Sequence, residues 1–485
     1  MEVKDLKPAL VWECFDAITK VPRPSCHEEQ IRAFLLDFAQ KHQIEARTDE
    51  CGNVVMTKPA TKGHENAPTV ILQAHMDMVA EKNNDVQHDF LKDPVQTYID
   101  GDWVKARGTT LGADNGIGMA AAMAALIDDT LVHGPIECLF TINEEIGLEG
   151  AQNLGKDMIS GSMLINLDSE DDGEIFVGCA GGIDTTAIFT YKKSLAPENF
   201  SYMKVNVSGL LGGHSGSDIN LGRGNANKLV ARFIWECSQK WPVEVCSFDG
   251  GNLRNAIPRE AWAVFGVQTE HKEALRNALK KYEAEIKNEY KGVEPSLEIA
   301  IEDVERPEFC IDSATSVALV RAIYSAPHGV YSMSRDIIGL VETSTNLAAV
   351  KMIEGDKIKI TTSQRSSVES RKNDIAGQVE AHFQLAGAEV SHSDGYPGWA
   401  PNMESAIMKI SADAYEELFG VKPAIKAIHA GLECGLFLAK YPNLDMVSFG
   451  PTMTGVHSPD EKLNIPTVDK FWKHLCKVLE KVAAL

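Results

Sequence analysis

Three apolar runs in this chain each end on residues that prefer water to a core. Residues 69–73 (TVILQ) lead into His75 and Asp77, residues 136–142 (IECLFTI) into Asn143-Glu144-Glu145, and residues 163–167 (MLINL) into Asp168. Short runs of this kind, largely apolar rather than alternating, read as strands buried on both faces. Between the first two runs, residues 116–126 are rich in Ala and Gly and read as a buried helix. Strands alternating with helices predict an α/β layer architecture. In open sheets of this class, ligands bind beyond the carboxyl ends of the strands. The three runs therefore predict ionisable side chains gathered at one end of one sheet.

The rest of the chain supports that layer and interrupts it. Residues 27–42 carry apolar Ile31, Leu35 and Phe38 at helical spacing, with Ser25 as the expected cap and Glu28 closing a capping box. Residues 53–57 read as a further strand. The last ninety residues return to the same style, with a helix over 404–418, a buried strand over 444–448 and an amphipathic helix over 468–482. Pro397, Gly398 and Pro401 mark the junction before them. The middle begins near Gly181-Gly182 and has a different rhythm, with a faint internal echo. NLRNAIP (252–258) precedes a strand (262–268) and a helix (271–286), while TSTNLAAV (343–350) precedes a strand (357–362) and a helix (368–385). The echo puts Asn255 and Asn346 in comparable places.

Charge narrows the choice of partner. The 485 residues carry a formal charge of −22, and residues 1–182 alone hold 31 acids against 14 bases. Such an excess argues against nucleic acid or an anionic membrane as the main partner. The longest apolar stretch, residues 116–127, is too short to span a bilayer. The first fifteen residues have scattered charges and no signal-peptide core. Ten Cys without a CxxC pair argue against a disulfide scaffold or zinc finger and fit reduced thiols in a cytoplasmic protein.

Each acidic cluster alone has a plain structural reading. His75-x-Asp77 could be a strand-end histidine beside a surface acid, Glu144-Glu145 a solvated turn, and Asp114 in GADNG a helix N-cap. Together the set is His75, Asp114, Glu145, Asp168 and His457 (in GVHS), with Asp77 and Glu144 beside them. Two His and three carboxylates suit zinc, manganese or cobalt better than calcium or magnesium. One carboxylate shared between two ions would give each three protein ligands, a two-metal hydrolase pattern.

The motifs AHMDMV (74–79), GTTLGADNGIGMA (108–120), TINEEIGLEGA (141–151), INLDSE (165–170), GGHSG (212–216), NAIP (255–258), GLECG (431–435) and TGVHSPDE (454–461) resemble the zinc-dependent M20 metallopeptidases nearly end to end. Within that family the chain is similar to the aminoacyl-histidine dipeptidase branch, and an Asp at position 168 is in keeping with the dipeptidase and aminopeptidase branches. The resemblance implies an α/β fold: a phosphorylase/hydrolase-like mixed-sheet catalytic domain over 1–182 and 395–485, with an inserted α+β lid and dimerisation domain over 183–394. The lid is long enough for two α/β units, and GCAGG (178–182) reads as a hinge.

The same resemblance implies two Zn2+ per chain, with Co2+ or Mn2+ as substitutes. His75, Asp114 and Asp168 would hold one ion; Asp114, Glu145 and His457 would hold the other. Asp77 would clamp the His75 ring, Glu144 would be the general base, and His214 would stabilise the oxyanion. The peptide bond Asp114–Asn115 would be cis. Asn255, Arg365 and Glu433 would contact substrate, with Arg254 as the alternative to Arg365, whereas His328, His392 and His429 have no partner motif. The implied reaction is hydrolysis of unblocked dipeptides, Xaa-His and β-alanyl-histidine included, by a homodimer. The alternatives are a tripeptidase, a carboxypeptidase, an N-acyl amino-acid deacylase, or a metal-binding protein without catalysis.

Overall fold

The computed structural model describes residues 2–485, and the chain divides into two units. Among the described residues the first comprises 2–179, 399–427 and 432–485; the second comprises 180–398 and 428–431.

The first unit is built on a mixed eight-stranded sheet. Its strand order is Glu45–Thr48, Val54–Lys58, Ile136–Thr141, Val70–His75, Met163–Asn166, Asp445–Ser448, Glu174–Cys179 and Ala424–Ile428. The central four strands run parallel, and antiparallel strands flank them. Every residue of Val70–His75, Ile136–Thr141 and Met163–Asn166 is buried, so both sheet faces are covered. The Ala-rich helix spans Ala113–Ile127 and packs on Val70–His75. Its methyl side chains let helix and sheet approach closely. A small second sheet joins Thr97–Asp100, Trp103–Ala106, Lys462–Asn464 and Met453–Thr454. The hairpin pairing Met453 with Leu463 makes residues 455–461 its connecting loop.

Two local expectations change. The helix predicted over 27–42 spans Glu29–Lys41, but its N-cap is Glu28 and no side chain caps it. Ser25 instead donates to Asp77 Oδ2 at 2.8 Å, and Glu28 Oε1 accepts from the Asn143 amide at 3.0 Å. Both side chains are drawn from the helix to the strand ends. A further helix, Ala9–Ile18, has no counterpart in the sequence reading; it buries Val11, Trp12, Phe15 and Ile18 and packs on Ala113–Ile127.

The second unit is built on an antiparallel sheet in the order Glu298–Asp303, Phe200–Ser208, Ala261–Gln268, Val243–Gly250, Val341–Ile353, Lys357–Ser366, Gly181–Thr190 and Glu389–His392, with Gly329–Met333 paired to Val341–Ile353 off that path. It contains two βαββαβ modules. One runs Phe200–Ser208, helix Ala226–Ser238, Val243–Gly250, Ala261–Gln268, helix Lys272–Glu289, Glu298–Asp303. The other runs Gly181–Thr190, helix Ser313–Ser325, Val341–Ile353, Lys357–Ser366, helix Glu369–Leu385, Glu389–His392. Both have spatial strand order 4-1-3-2, and the first lies inside the first crossover of the second. They meet where Gly250 pairs with Val350, and one apolar core including Phe233, Phe248, Phe265, Leu347, Ile360 and Phe383 runs through both.

The Asn register of the sequence echo does not hold. TSTNLAAV lies within strand Val341–Ile353, so Asn346 is buried in mid-strand, whereas Asn255 sits on the exposed loop before Ala261–Gln268. Lys357–Ser366 pairs along one side of this stretch, Gly329–Met333 pairs with 341–345 on the other, and the Leu347 backbone bonds the side chains of His328 and Asn225, which permits so polar a buried strand. Where strand Gly181–Thr190 begins, a side chain on Gly181 would stand 2.5 Å from the backbone nitrogen of Gly398, so the crossing of these segments requires glycine.

Candidate metal centre

The parallel strands deliver the predicted residues to one place. His75 is the last residue of its strand, and Asp168 follows Met163–Asn166 by two residues. Glu144 and Glu145 sit in the turn after Ile136–Thr141, and His457 lies at the tip of the 455–461 loop. Asp114 enters from the start of the Ala-rich helix. It is not the N-cap: that position is Gly112, in the left-handed region at φ +68°. The Asp114–Asn115 bond is cis, as the resemblance implies.

Asp114 joins the two halves of the cluster. Its Oδ1 lies 2.9 Å from His75 Nε2 and its Oδ2 lies 3.1 Å from His457 Nε2. His75 Nε2 is also 3.4 Å from Asp168 Oδ1, and His457 Nε2 is 2.9 Å from Glu145 Oε2. His75, Asp114 and Asp168 thus present one set of donor atoms within 4.8 Å of one another; Asp114, Glu145 and His457 present a second. Asp114 belongs to both.

Asp77 does more than face the His75 ring, which its Oδ1 approaches to 3.3 Å at Nδ1. The same oxygen accepts from the Glu144 amide at 3.1 Å, and Oδ2 accepts from the Glu145 amide at 3.3 Å and from Ser25. One buried carboxylate therefore faces the His75 ring and holds the turn that carries both glutamates. Asn115 donates through Nδ2 to the Leu167 carbonyl and to Asp168 Oδ1, steadying that carboxylate in turn.

The cluster's electrostatics follow from burial and from the two imidazoles that its carboxylates face. Among the described residues no Lys or Arg forms an ion pair with Asp114, Glu144, Glu145 or Asp168. Burial raises Asp168 to about 6 against the pull of His75, with Asp114 adding to the rise. Burial also raises Glu144 well above its ordinary value, with Asp168, Glu433 and Glu145 adding to the shift. Hydrogen bonds to Asp114 and Glu145 push His457 up to about 11. Burial opposes charge on His75, yet Asp168, Asp114 and Asp77 outweigh it and hold the ring's pKa well above the usual value. Glu145 Oε1 is buried without a hydrogen-bond partner. Imidazoles and carboxylates so placed, with an orphaned buried acceptor among them, fit divalent cations.

Glu433 stands behind this cluster. It opens helix Glu433–Lys440, is 1% exposed, and accepts from Gln73 Nε2 at 2.5 Å and Thr141 Oγ1 at 3.0 Å. Burial lifts its carboxyl to about 8, against His75 and Thr141. The remaining predicted residues belong to the second unit. Arg365 is buried and donates to the Tyr396 hydroxyl at 2.7 Å; no carboxylate lies within ion-pair distance of it among the described residues. Arg254 is instead tied to Asp184 at 2.8 Å. His214 Nδ1 accepts from the Gly216 and Ser217 amides, both at 3.2 Å, so its ring proton sits on Nε2. Burial and then Arg365 lower its pKa, which keeps the ring neutral. Asn255 is exposed, and its carbonyl accepts from the Ser215 amide at 2.8 Å.

The sequence reading assigns no site role to Arg23, Ser25, Asn115 or Glu461. Glu461 stands in the motif TGVHSPDE four residues after His457, which is the one signal that pointed toward it.

A donor set of this kind at the carboxyl ends of a parallel sheet core defines a metal-dependent α/β enzyme class. Residues 71–481 match the family model for peptidase family M20/M25/M40, and the chain belongs to that family. It is 43% identical over 483 residues to the cytosol non-specific dipeptidase of Escherichia coli (strain K12), covering 100% of this chain and 99% of that protein. The crystal structure of aminoacylhistidine dipeptidase from Vibrio alginolyticus superposes with a TM-score of 0.92 at 44% identity, over 99% of this chain and 98% of that one. Aminopeptidase PepT from Bacillus cereus ATCC 10987 shares the fold at TM-score 0.58 and 16% identity, over 99% of each chain. Among the described residues no helix is long and apolar enough to cross a membrane.

Proposed function

We propose that this protein is a cytosolic dipeptidase that cleaves unblocked dipeptides, Xaa-His among them, at a centre for two divalent ions. The observation that carries the reading is the split of Asp114: each of its oxygens faces a different imidazole, and a ligand set lies on either side. The names of the two full-length relatives supply the substrate class. Zinc is the metal proposed, with cobalt or manganese as substitutes, on the chemistry of the donors.

His75 and Asp168 would hold one ion, Glu145 and His457 the other, and Asp114 both. The bound ions would polarise the scissile carbonyl and make water acidic enough to attack near neutral pH. Glu144 accepts the proton of the attacking water and returns it to the leaving amine. Asp77 fixes the Glu144 amide and thereby the base's position. His214 presents a neutral ring with a proton on Nε2, the form required of a donor to a developing oxyanion. Arg365, a buried guanidinium without an acid partner, is the group for the substrate's carboxylate; Arg254 is already paired. Asn255 and Glu433 are assigned to the substrate, Glu433 through Oε1, which is buried without a hydrogen-bond partner.

The test is a panel of Xaa-His dipeptides, tripeptides and N-acetyl amino acids with the zinc-loaded protein. Cleavage of the dipeptides above the other two classes is expected. Preference for N-acetyl amino acids or tripeptides would replace this reading with a deacylase or tripeptidase, and no hydrolysis at all would leave a metal-binding protein.

A further inference from the structure

Asp114 sits at the start of a helix whose N-cap, Gly112, has no side chain with which to cap it. The orphan amides of that first turn are satisfied from 350 residues away. Glu461, 2% exposed, accepts through Oε2 from the amides of Leu111 at 2.7 Å and Gly112 at 2.9 Å. Its Oε1 accepts from Ala113 at 2.7 Å and Asp114 at 3.4 Å. One carboxylate thus gathers four consecutive amides at a helix N-terminus, where negative charge is favoured. From the other side Arg23, 1% exposed, donates to the Gly112 carbonyl and, through Nη1, to the carbonyls of Met76 at 3.1 Å and Asp77 at 2.7 Å. A side chain on Gly112 would stand 2.6 Å from Arg23 Nη2, so the grip requires glycine there as well.

These two residues link three segments. Glu461 shares its hairpin loop with His457, and Arg23 holds the strand end that carries His75 and Asp77. Both close on residues 111–114. We propose that Glu461 and Arg23 are positioning residues that set Asp114 so that each of its oxygens meets a different metal. The proposal rests on the reading of Asp114 as the shared ligand. In Glu461→Gln one acceptor oxygen becomes an amide facing backbone N–H groups, so two of the four bonds are lost and the loop loosens where Asp114 leaves it. Supporting residues of this kind typically change metal affinity by about 10–100-fold.

The experiment is a calorimetric zinc titration of the metal-free full chain, with folding checked by circular dichroism and thermal melting. Glu137 supplies the control. It too is a buried carboxylate that accepts backbone amides, from Ser160 and Gly161, but it lies at the far end of the sheet. The wild type should take up two ions. Glu461→Gln should remain folded and need about 10–100-fold more zinc for half-saturation of at least one site, while Glu137→Gln loses stability and keeps the wild-type isotherm. Should Glu461→Gln fail to fold, Arg23→Lys carries the test with the same expectation, because a single ammonium nitrogen would replace Nη1 and Nη2, which reach these carbonyls from two positions. A folded Glu461→Gln or Arg23→Lys with the wild-type isotherm overturns the proposal, as does a Glu137→Gln shift of equal size. A wild type that binds fewer than two ions overturns instead the shared-ligand reading beneath it.

Discussion

Asp77 is the place where one atom pair does several jobs, and Asp77→Asn separates them. In the native protein Oδ1 receives the Glu144 amide and faces His75 Nδ1, while Oδ2 receives Ser25 Oγ and the Glu145 amide. Asparagine is nearly isosteric but has one oxygen. Whichever way the amide turns, two of the four donors meet an NH2 group. A hydrogen bond to a charged acceptor contributes about 1.5–3 kcal/mol, so the two together come to about 3–6 kcal/mol. If all of that is felt in the transition state, kcat/KM falls by roughly 10²–10⁴; any part felt in folding appears as a lower Tm instead. Ser25→Ala removes one of these donors and leaves the carboxylate intact, and on the same scale should reduce kcat/KM by about 10–10²-fold. The assay is dipeptide hydrolysis under saturating metal, with metal content and thermal melting on the same samples. Asp77→Asn within threefold of wild type, at unchanged Tm and metal content, would refute the reasoning.

Other predictions are simpler. Glu144→Gln should retain both metals and lose about 10²–10⁴ in kcat, the usual scale for a general base; full activity in this variant rules out Glu144 as the base. Metal removal by a chelator should lower Tm, because ligands at 100 times their dissociation constant stabilise by about 2.7 kcal/mol; an unchanged melt would mean that the carboxylate cluster is content without cations. His474, packed against Phe449 and donating from Nε2 to the Ser411 carbonyl, is kept neutral by burial, which pushes its pKa down to about 4. The unfolded chain takes up that proton near pH 6.5 and the folded chain only near 4, so this site's stabilisation, about 3 kcal/mol, is full above pH 6.5 and is lost as pH falls toward 4. His474→Phe should flatten that part of the stability–pH curve, measured by denaturant unfolding, and an unchanged slope would sink the assignment.

The strand ends were legible because fully buried strands leave long apolar signatures, and a polar residue at their close is conspicuous. His75, Glu144, Glu145 and Asp168 fall where that pattern puts them, whereas Asp114 at a Gly-rich helix entrance and His457 in a loop were legible only as members of the whole donor set. What the sequence hid was reach. Ser25 looks like a helix cap because Ser-x-x-Glu is the local signature, yet its hydroxyl serves a carboxylate 52 positions away. Glu461 caps a helix it does not precede. Neither pairing has any local period. In the second unit the repeat was audible but misregistered: the echo pairs Asn255 with Asn346, yet Asn346 lies within strand Val341–Ile353 and Asn255 on a loop.

The two-ion centre is the claim on which the rest depends. Metal-free protein titrated with zinc, with bound ion per chain and Xaa-His dipeptide hydrolysis followed together, tests it most directly. The account predicts saturation at two ions per chain, activity that rises with occupancy, and a His457→Ala variant that saturates at one. Full activity in the metal-free protein, or a single ion at saturation in the wild type, would contradict it.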